Sequence, residues 1–193
     1  MSQIKFGTDG WRGIIAEDFT FSNLRLAAAA AANYILKHED PAKGIVIGYD
    51  TRFGSRDFAR AAAEVFASAG INVTLANDYT PTPAVSYAVK HRNHAGGVMI
   101  TSSHNPASWN GFKYKASYGG SARPAIIQSI ERELGAPLPR PANKGTITEG
   151  DLKADYIAAL RQFVDLAAIA RSGFKFGIDC MYGAGRGVLS GIF

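Results

Sequence analysis

The 193-residue sequence has one cysteine, Cys180, so no internal disulfide framework can form. That usage suits a reducing cytoplasm. No apolar run approaches the ~20 residues of a membrane-crossing helix, and no membrane partner is expected. The start, Met1-Ser2-Gln3-Ile4-Lys5, has no signal-peptide core. Lys and Arg number 21 against 16 Asp and Glu, a formal net charge of +5, yet no run of five basic residues occurs. The basic stripe of a nucleic-acid binder is thus missing, whereas a mild positive balance suits small anionic substrates. Also absent are a G-x-S-x-G elbow, a Walker loop, an H-E-x-x-H helix and zinc-type Cys/His spacing.

What remains is a regular alternation of helical and strand patterns. Phe21 to His38 predicts a helix, with Ser22 as cap and Leu24, Ala27, Ala28, Ala31 and Ile35 as its apolar stripe. Ser55 to Gly70, Thr82 to His91 and Arg123 to Leu134 predict three more, the second carrying a proline in its first turn. Gly44 to Asp50, Ile71 to Leu75 and Gly96 to Thr101 read as buried strands, and Ile4 to Gly13 as an extended segment. Asn110-Gly111 reads as a turn leading into a short extended piece at 111–115. The alternation predicts an α/β fold, a three-layer α/β/α sandwich on a mixed, mainly parallel sheet.

Residues 135–150 hold three prolines and three glycines, and the domain division expected is 1–140, a linker at 141–150, and a second unit at 151–193. The second unit predicts a helix at 151–170, a strand from Phe174 to Asp179 and a loop at 181–187. Gly48, Asp50, Phe53 and Gly54 recur 129 positions later as Gly177, Asp179, Tyr182 and Gly183. The second unit thus reads as the opening of another copy of the same architecture. Forty-three residues are marginal for a core of their own. The expectation is a piece of a longer protein whose Leu189, Ile192 and Phe193 pack on the first unit or on a second copy of the chain.

Three polar loops follow strand patterns: 7–13, 50–56 and 102–110. In an open parallel sheet such loops converge beyond the carboxyl ends of the strands. Together they bring Arg12, Arg52 and Arg56 as phosphate ligands, Ser103 as nucleophile, and His104 beside it. Glycines 7, 10 and 13 allow backbone N–H groups near an anion. Thr101-Ser102-Ser103-His104-Asn105-Pro106 follows the apolar run 97–100, and it reads equally as a capping turn or as a stiff loop presenting a serine. Lys113 is a candidate proton carrier, or else a solvated strand residue. Gly183-Ala184-Gly185-Arg186-Gly187 is only weakly dinucleotide-like, because Val188 replaces the last glycine of G-x-G-x-x-G.

Four segments, Phe6 to Gly13, Gly48-Tyr49-Asp50-Thr51-Arg52, Thr101 to Pro106 and Asn110-Gly111-Phe112-Lys113, together resemble the α-D-phosphohexomutases, the family of phosphoglucomutase, phosphomannomutase and phosphoglucosamine mutase. The resemblance implies that Ser103 is a phosphoserine and that Arg12 and Lys113 bind phosphate and assist proton transfer. It places His104 and Asn105 in the loop shaping that serine, and it adds Thr8 and Arg52 as phosphate or substrate contacts. The implied reaction interconverts hexose 1-phosphate and hexose 6-phosphate, with glucose 1,6-bisphosphate as activator or intermediate. The family's Mg2+ is held by the serine phosphate and three aspartates of a D-G-D-x-D-R loop, which is absent from this sequence. The chain by itself is therefore expected to be inactive. A non-catalytic phosphosugar-binding module is the alternative.

Overall fold

The computed structural model describes residues 4–7 and 10–193. Six strands form one sheet: β1 (Trp11–Ile14), β2 (Ile45–Tyr49), β3 (Val73–Ala76), β4 (Gly96–Ile100), β5 (Trp109–Ala116) and β6 (Ile147–Gly150). Their spatial order is β1-β5-β4-β2-β3-β6. β4, β2, β3 and β6 run parallel, whereas β5 is antiparallel to both β4 and β1. Every residue of β2 and β4 is buried, as expected for central strands covered on both faces.

The helices are α1 (Phe21–His38), α2 (Ser55–Ser68), α3 (Thr82–His91), α4 (Pro124–Arg132), α5 (Ala154–Phe163), α6 (Leu166–Arg171) and α7 (Val188–Ile192). Two adjacent glycines show how the layers divide. A Cβ on Gly97 would lie 2.6 Å from Val89 of α3, and one on Gly96 would lie 2.5 Å from the Tyr114 hydroxyl. Successive strand residues face opposite sides, and Tyr114 packs edge-on against Tyr34 of α1. So α3 covers one face and α1 the other. Phe58 of α2 joins the α1 layer through Phe19, which stacks on Trp11. Tyr156 and Asp155 of α5 join α3 through Tyr87 and Arg92. The chain steps from β2 to β3 through α2 and back from β3 to β4 through α3. Right-handed crossovers in opposite directions require helices on opposite faces.

Local chemistry sets most boundaries. α1 is capped by Thr20, whose hydroxyl accepts from the Asn23 N–H at 3.2 Å, rather than by Ser22. All five residues of its expected stripe are buried. Pro83 occupies the first turn of α3, where its missing N–H costs nothing.

The structure departs from the sequence reading in several places. Asn110-Gly111 is no turn; both lie inside β5 and pair with β1. Residues 147–150, expected within the linker, form β6 beside β3. The helix expected over 151–170 breaks into α5 and α6 around Val164 and Asp165. Phe174 to Asp179, expected as a strand, forms no strand or ladder among the described residues. Its side chains stay outside, with Phe174 75% exposed. α7 packs on α5 rather than on the first unit: a Cβ on Gly191 would touch Ile157, Ile192 is buried, and Phe193 stacks on Phe176 while remaining exposed.

Candidate functional site

The carboxyl ends of β2 and β4 are neighbours, so the loops that follow them meet. At the end of β2 the Tyr49 carbonyl accepts from the Thr80 N–H at 2.9 Å, and the Asp50 N–H donates to the Ile100 carbonyl at 3.1 Å. Asp50 then anchors both loops. One carboxylate oxygen accepts from the Arg52 N–H at 3.0 Å and from the Ser55 hydroxyl at 2.8 Å. The other accepts from the Thr101 hydroxyl at 2.6 Å. Thr101 Oγ1 in turn accepts from the Ser103 N–H at 3.0 Å. Asn110 extends the chain of bonds by donating to Ser55 Oγ at 2.9 Å and accepting from the Gly111 N–H at 2.9 Å.

Within this frame the two serines separate. Ser102 is fully buried, and its hydroxyl finds no hydrogen-bond partner among the described residues. Ser103 is exposed, with φ of 53°. A left-handed backbone is costly for a residue with a Cβ, about 1–2 kcal/mol, and persists only where surrounding bonds over-determine it. The sequence order strand, threonine, serine, serine therefore presents one hydroxyl and hides the other. Ser103, His104 and Asn105 line a cavity of about 710 Å3 together with Asp50, Arg52, Phe53, Thr82 and Met99. Gly183 and Ala184, from the glycine-rich loop of the C-terminal segment, form part of its wall.

Arg12, on β1, reaches the same loop: its Nη1 donates to Asn105 Oδ1 at 3.0 Å. Lys113 lies on β5 with its aliphatic stem against Gly10, and only 4% of the residue is exposed. β-Pairing sets Arg12 opposite Gly111 and Lys113 two residues further along the same face. Thr8 lies outside the described residues. Arg56 is exposed in the first turn of α2.

Arg52 behaves differently from the phosphate ligand expected. Nη1 donates to the carbonyls of Pro106 at 2.7 Å and Trp109 at 3.1 Å. Nη2 donates to those of Ser103 at 2.8 Å and Asn105 at 2.7 Å. Nε lies 3.2 Å from Asp50 Oδ2. A guanidinium has five N–H groups; here the two terminal nitrogens make four bonds to loop carbonyls and Nε pairs with the Asp50 carboxylate. Asp50, Thr101, Ser55 and Asn110 were not singled out as site residues from sequence. An aspartate one residue past a buried strand, two before an arginine and five before a serine was the available signal, since such an aspartate folds back on its own backbone.

Magnesium does not fit the residues described. No group of three His, Cys, Asp or Glu side chains among them could hold a metal ion. Asp50, the carboxylate in the cavity wall, has both oxygens engaged by Thr101, Ser55 and Arg52.

The C-terminal segment is held near the cavity by charges. Lys153 Nζ sits 2.6 Å from Asp78, which depresses the Asp78 pKa below its usual value, chiefly through that hydrogen bond. The Arg186 guanidinium lies 5.3 Å from the Tyr79 ring centroid. Arg92 grips Asp155 through Nε and Nη2 at 2.9 and 2.7 Å. No described helix is long and apolar enough to cross a membrane.

Comparison with known proteins supports the fold and gives its family. Residues 3–138 match the family model for phosphoglucomutase/phosphomannomutase, alpha/beta/alpha domain I. The phosphoglucosamine mutase 1 of Shewanella amazonensis is 35% identical across the whole chain, which spans 44% of that relative. A phosphoglucomutase of Staphylococcus saprophyticus is 34% identical over 78% of the chain and 27% of its own length. A solved structure from Thermus thermophilus, named as a phosphomannomutase candidate, superposes with a TM-score of 0.85 at 40% identity, covering 98% of this chain and 42% of that one.

Proposed function

Because the chain belongs to the phosphoglucomutase/phosphomannomutase family, we propose that it carries the phosphoserine half of a hexose-phosphate mutase, with Ser103 as the phosphoryl carrier. The chain spans under half the length of the relatives it matches, so the activity of the whole enzyme is part of the proposal. The observation that carries it is the exposed Ser103 hydroxyl, held at a left-handed backbone angle on the wall of a cavity while Ser102 is buried.

In the forward step the Ser103 Oγ–phosphorus bond breaks as a sugar hydroxyl oxygen bonds to phosphorus. The sugar proton passes to a neighbouring base, a role for which His104 and Lys113 are the candidates. The bisphosphorylated sugar then turns round and returns its other phosphate to Ser103. Phosphoryl transfer is mainly positioning and neutralisation of oxygen charge; Arg12 supplies a cation, joined on the same face of the sheet by Lys113 where His104 takes the proton, and Asn105 links Arg12 to the serine loop. The Mg2+ implied by the family has no carboxylate cluster among the described residues, and no step is routed through it. In the same reading residues 151–193 open a second domain, and the chain by itself does not turn over.

The test is incubation with glucose 1,6-bisphosphate followed by intact-mass and peptide mapping. Phosphate on Ser103, lost in Ser103→Ala and kept in Ser102→Ala, supports the proposal; label on Ser102 in place of Ser103 overturns it. Dimerisation through the apolar strip around Phe174 is a separate proposal, refuted by a monomer in light scattering.

A further inference from the structure

We infer that Arg52 is a positioning residue that fastens the Ser103 loop by its carbonyls, and does not itself bind substrate phosphate. The inference rests on the reading of Ser103 as phosphoryl carrier. The loop 101–109 has little regular hydrogen bonding of its own: Asn105 N–H reaches the Ser102 carbonyl and Trp109 N–H reaches the Pro106 carbonyl, both at 3.0 Å. Four other carbonyl contacts of the same stretch, those of Ser103, Asn105, Pro106 and Trp109, converge on one guanidinium. Such convergence places four carbonyl dipoles negative end inward, an arrangement only a cation with several directed donors stabilises. Lysine lacks the planar fork and cannot reach four acceptors at these angles.

Asp50 fixes the clamp at its root. It holds the Arg52 N–H and faces Nε, and the same carboxylate accepts from Thr101, which accepts from the Ser103 N–H. Ser103 is thus tied on both sides of its own Cα: its N–H runs to Thr101 and Asp50, and its carbonyl runs to Arg52. These two ties hold φ at 53° and aim the hydroxyl into the cavity. The side chain of Arg52 is only 12% exposed, which leaves it poorly placed to meet a phosphate as well. Two observations therefore agree: both terminal nitrogens donate to loop carbonyls while Nε faces Asp50, and the group is mostly covered.

The experiment compares hydrogen exchange in wild type, Arg52→Ala and Arg52→Lys, with and without millimolar guanidinium ion. The probes are the loop amides of 103–109 and, as a control for folding, those of β2 and β4. Arg52→Ala should speed loop exchange at least tenfold, leave the strand amides protected, and recover protection when guanidinium is added; Arg52→Lys should recover little. In parallel, the rate at which Ser103 takes phosphate from glucose 1,6-bisphosphate should fall at least tenfold in both variants, with rescue by guanidinium in Arg52→Ala. Unchanged loop exchange in Arg52→Lys overturns the inference, as does a loss of glucose 1-phosphate binding with the loop still protected, which would make Arg52 a phosphate ligand. Should Arg52→Ala fail to fold, Arg52→Lys decides alone. Label on Ser102 in place of Ser103 would sink the carrier reading, and the exchange comparison would still decide whether Arg52 orders the loop.

Discussion

Two stretches of this chain carry the same local pattern and fold to different degrees. Around β2, a strand leads to Asp50, whose carboxylate accepts the Arg52 N–H two residues on; 129 residues later Asp179 accepts the Met181 N–H at 2.8 Å in the same way. The first pattern ends at Gly54, a positive-φ glycine that starts α2, whereas its counterpart at the same offset, Gly183, starts no helix and α7 begins only after Gly187. The first copy has neighbours: β2 lies between β3 and β4, and all five of its residues are buried. The second has no ladder partner among the described residues, and Phe163, Phe174 and Phe176 face outward, Phe163 at 86%. The comparison shows that aspartate turns and glycine caps form from a few residues in sequence, whereas a strand becomes part of a sheet only when another chain segment supplies its ladder.

The largest expected effect separates the two regions by stability. Phe112→Ala, fully buried in β5, should cost about 3–5 kcal/mol, whereas Phe174→Ala should cost under about 0.5 kcal/mol; urea unfolding of both variants is the check. Equal losses would mean that the exposed segment is packed in solution. The next effect concerns backbone strain. Ser103→Gly should exceed Ser103→Ala in stability by about 1 kcal/mol, while Met181→Gly, at a similar angle (φ 44°) on the exposed segment, should leave the main unfolding transition unmoved.

Weaker effects probe the joint between the regions. Arg92→Ala removes the grip on Asp155 and the bond to the Asp151 carbonyl. Tryptic cleavage at Arg161 and Arg171 should quicken, with the main transition lowered by up to about 1 kcal/mol; unchanged cleavage would show that β6 and Leu152 hold the segment without it. The smallest effect is acid release at Asp78. Its folded pKa lies below the usual 3.8 because Lys153 stabilises the carboxylate. The contact therefore contributes fully above that value and is lost as pH falls through the lower, folded one. Hydrogen exchange in α5 should rise in that acid window, and Lys153→Met should abolish the dependence.

The first four helices were legible because each announces itself locally. Phe21–His38 and Thr82–His91 match the apolar spacing and proline placement of their sequences. The serine loop was legible as a strand end with hydroxyls. The direction of β5 was not, since Asn110-Gly111 has turn chemistry and only its pairing with β1 and β4 draws it into a strand. Nor was β6, whose four residues, Ile-Thr-Glu-Gly, are short and half polar and depend on β3 for their place. Arg52 was legible as a cation near a serine. Whether it faced a phosphate or the protein depended on where four carbonyls lay, 51 to 57 residues away in sequence.

By itself the sequence determined the α/β alternation, the four helices of residues 21–134 and the identity of the loop that bears Ser103, all of which follow from short-range sterics and hydrogen bonding. Tertiary structure alone decided three things: that Ser102 is buried behind an exposed Ser103, that Arg52 serves the loop, and that Phe174 to Asp179 has no ladder among the described residues. Burial, directed donors and strand pairing each require a partner distant in the chain, and no local pattern encodes whether that partner is there.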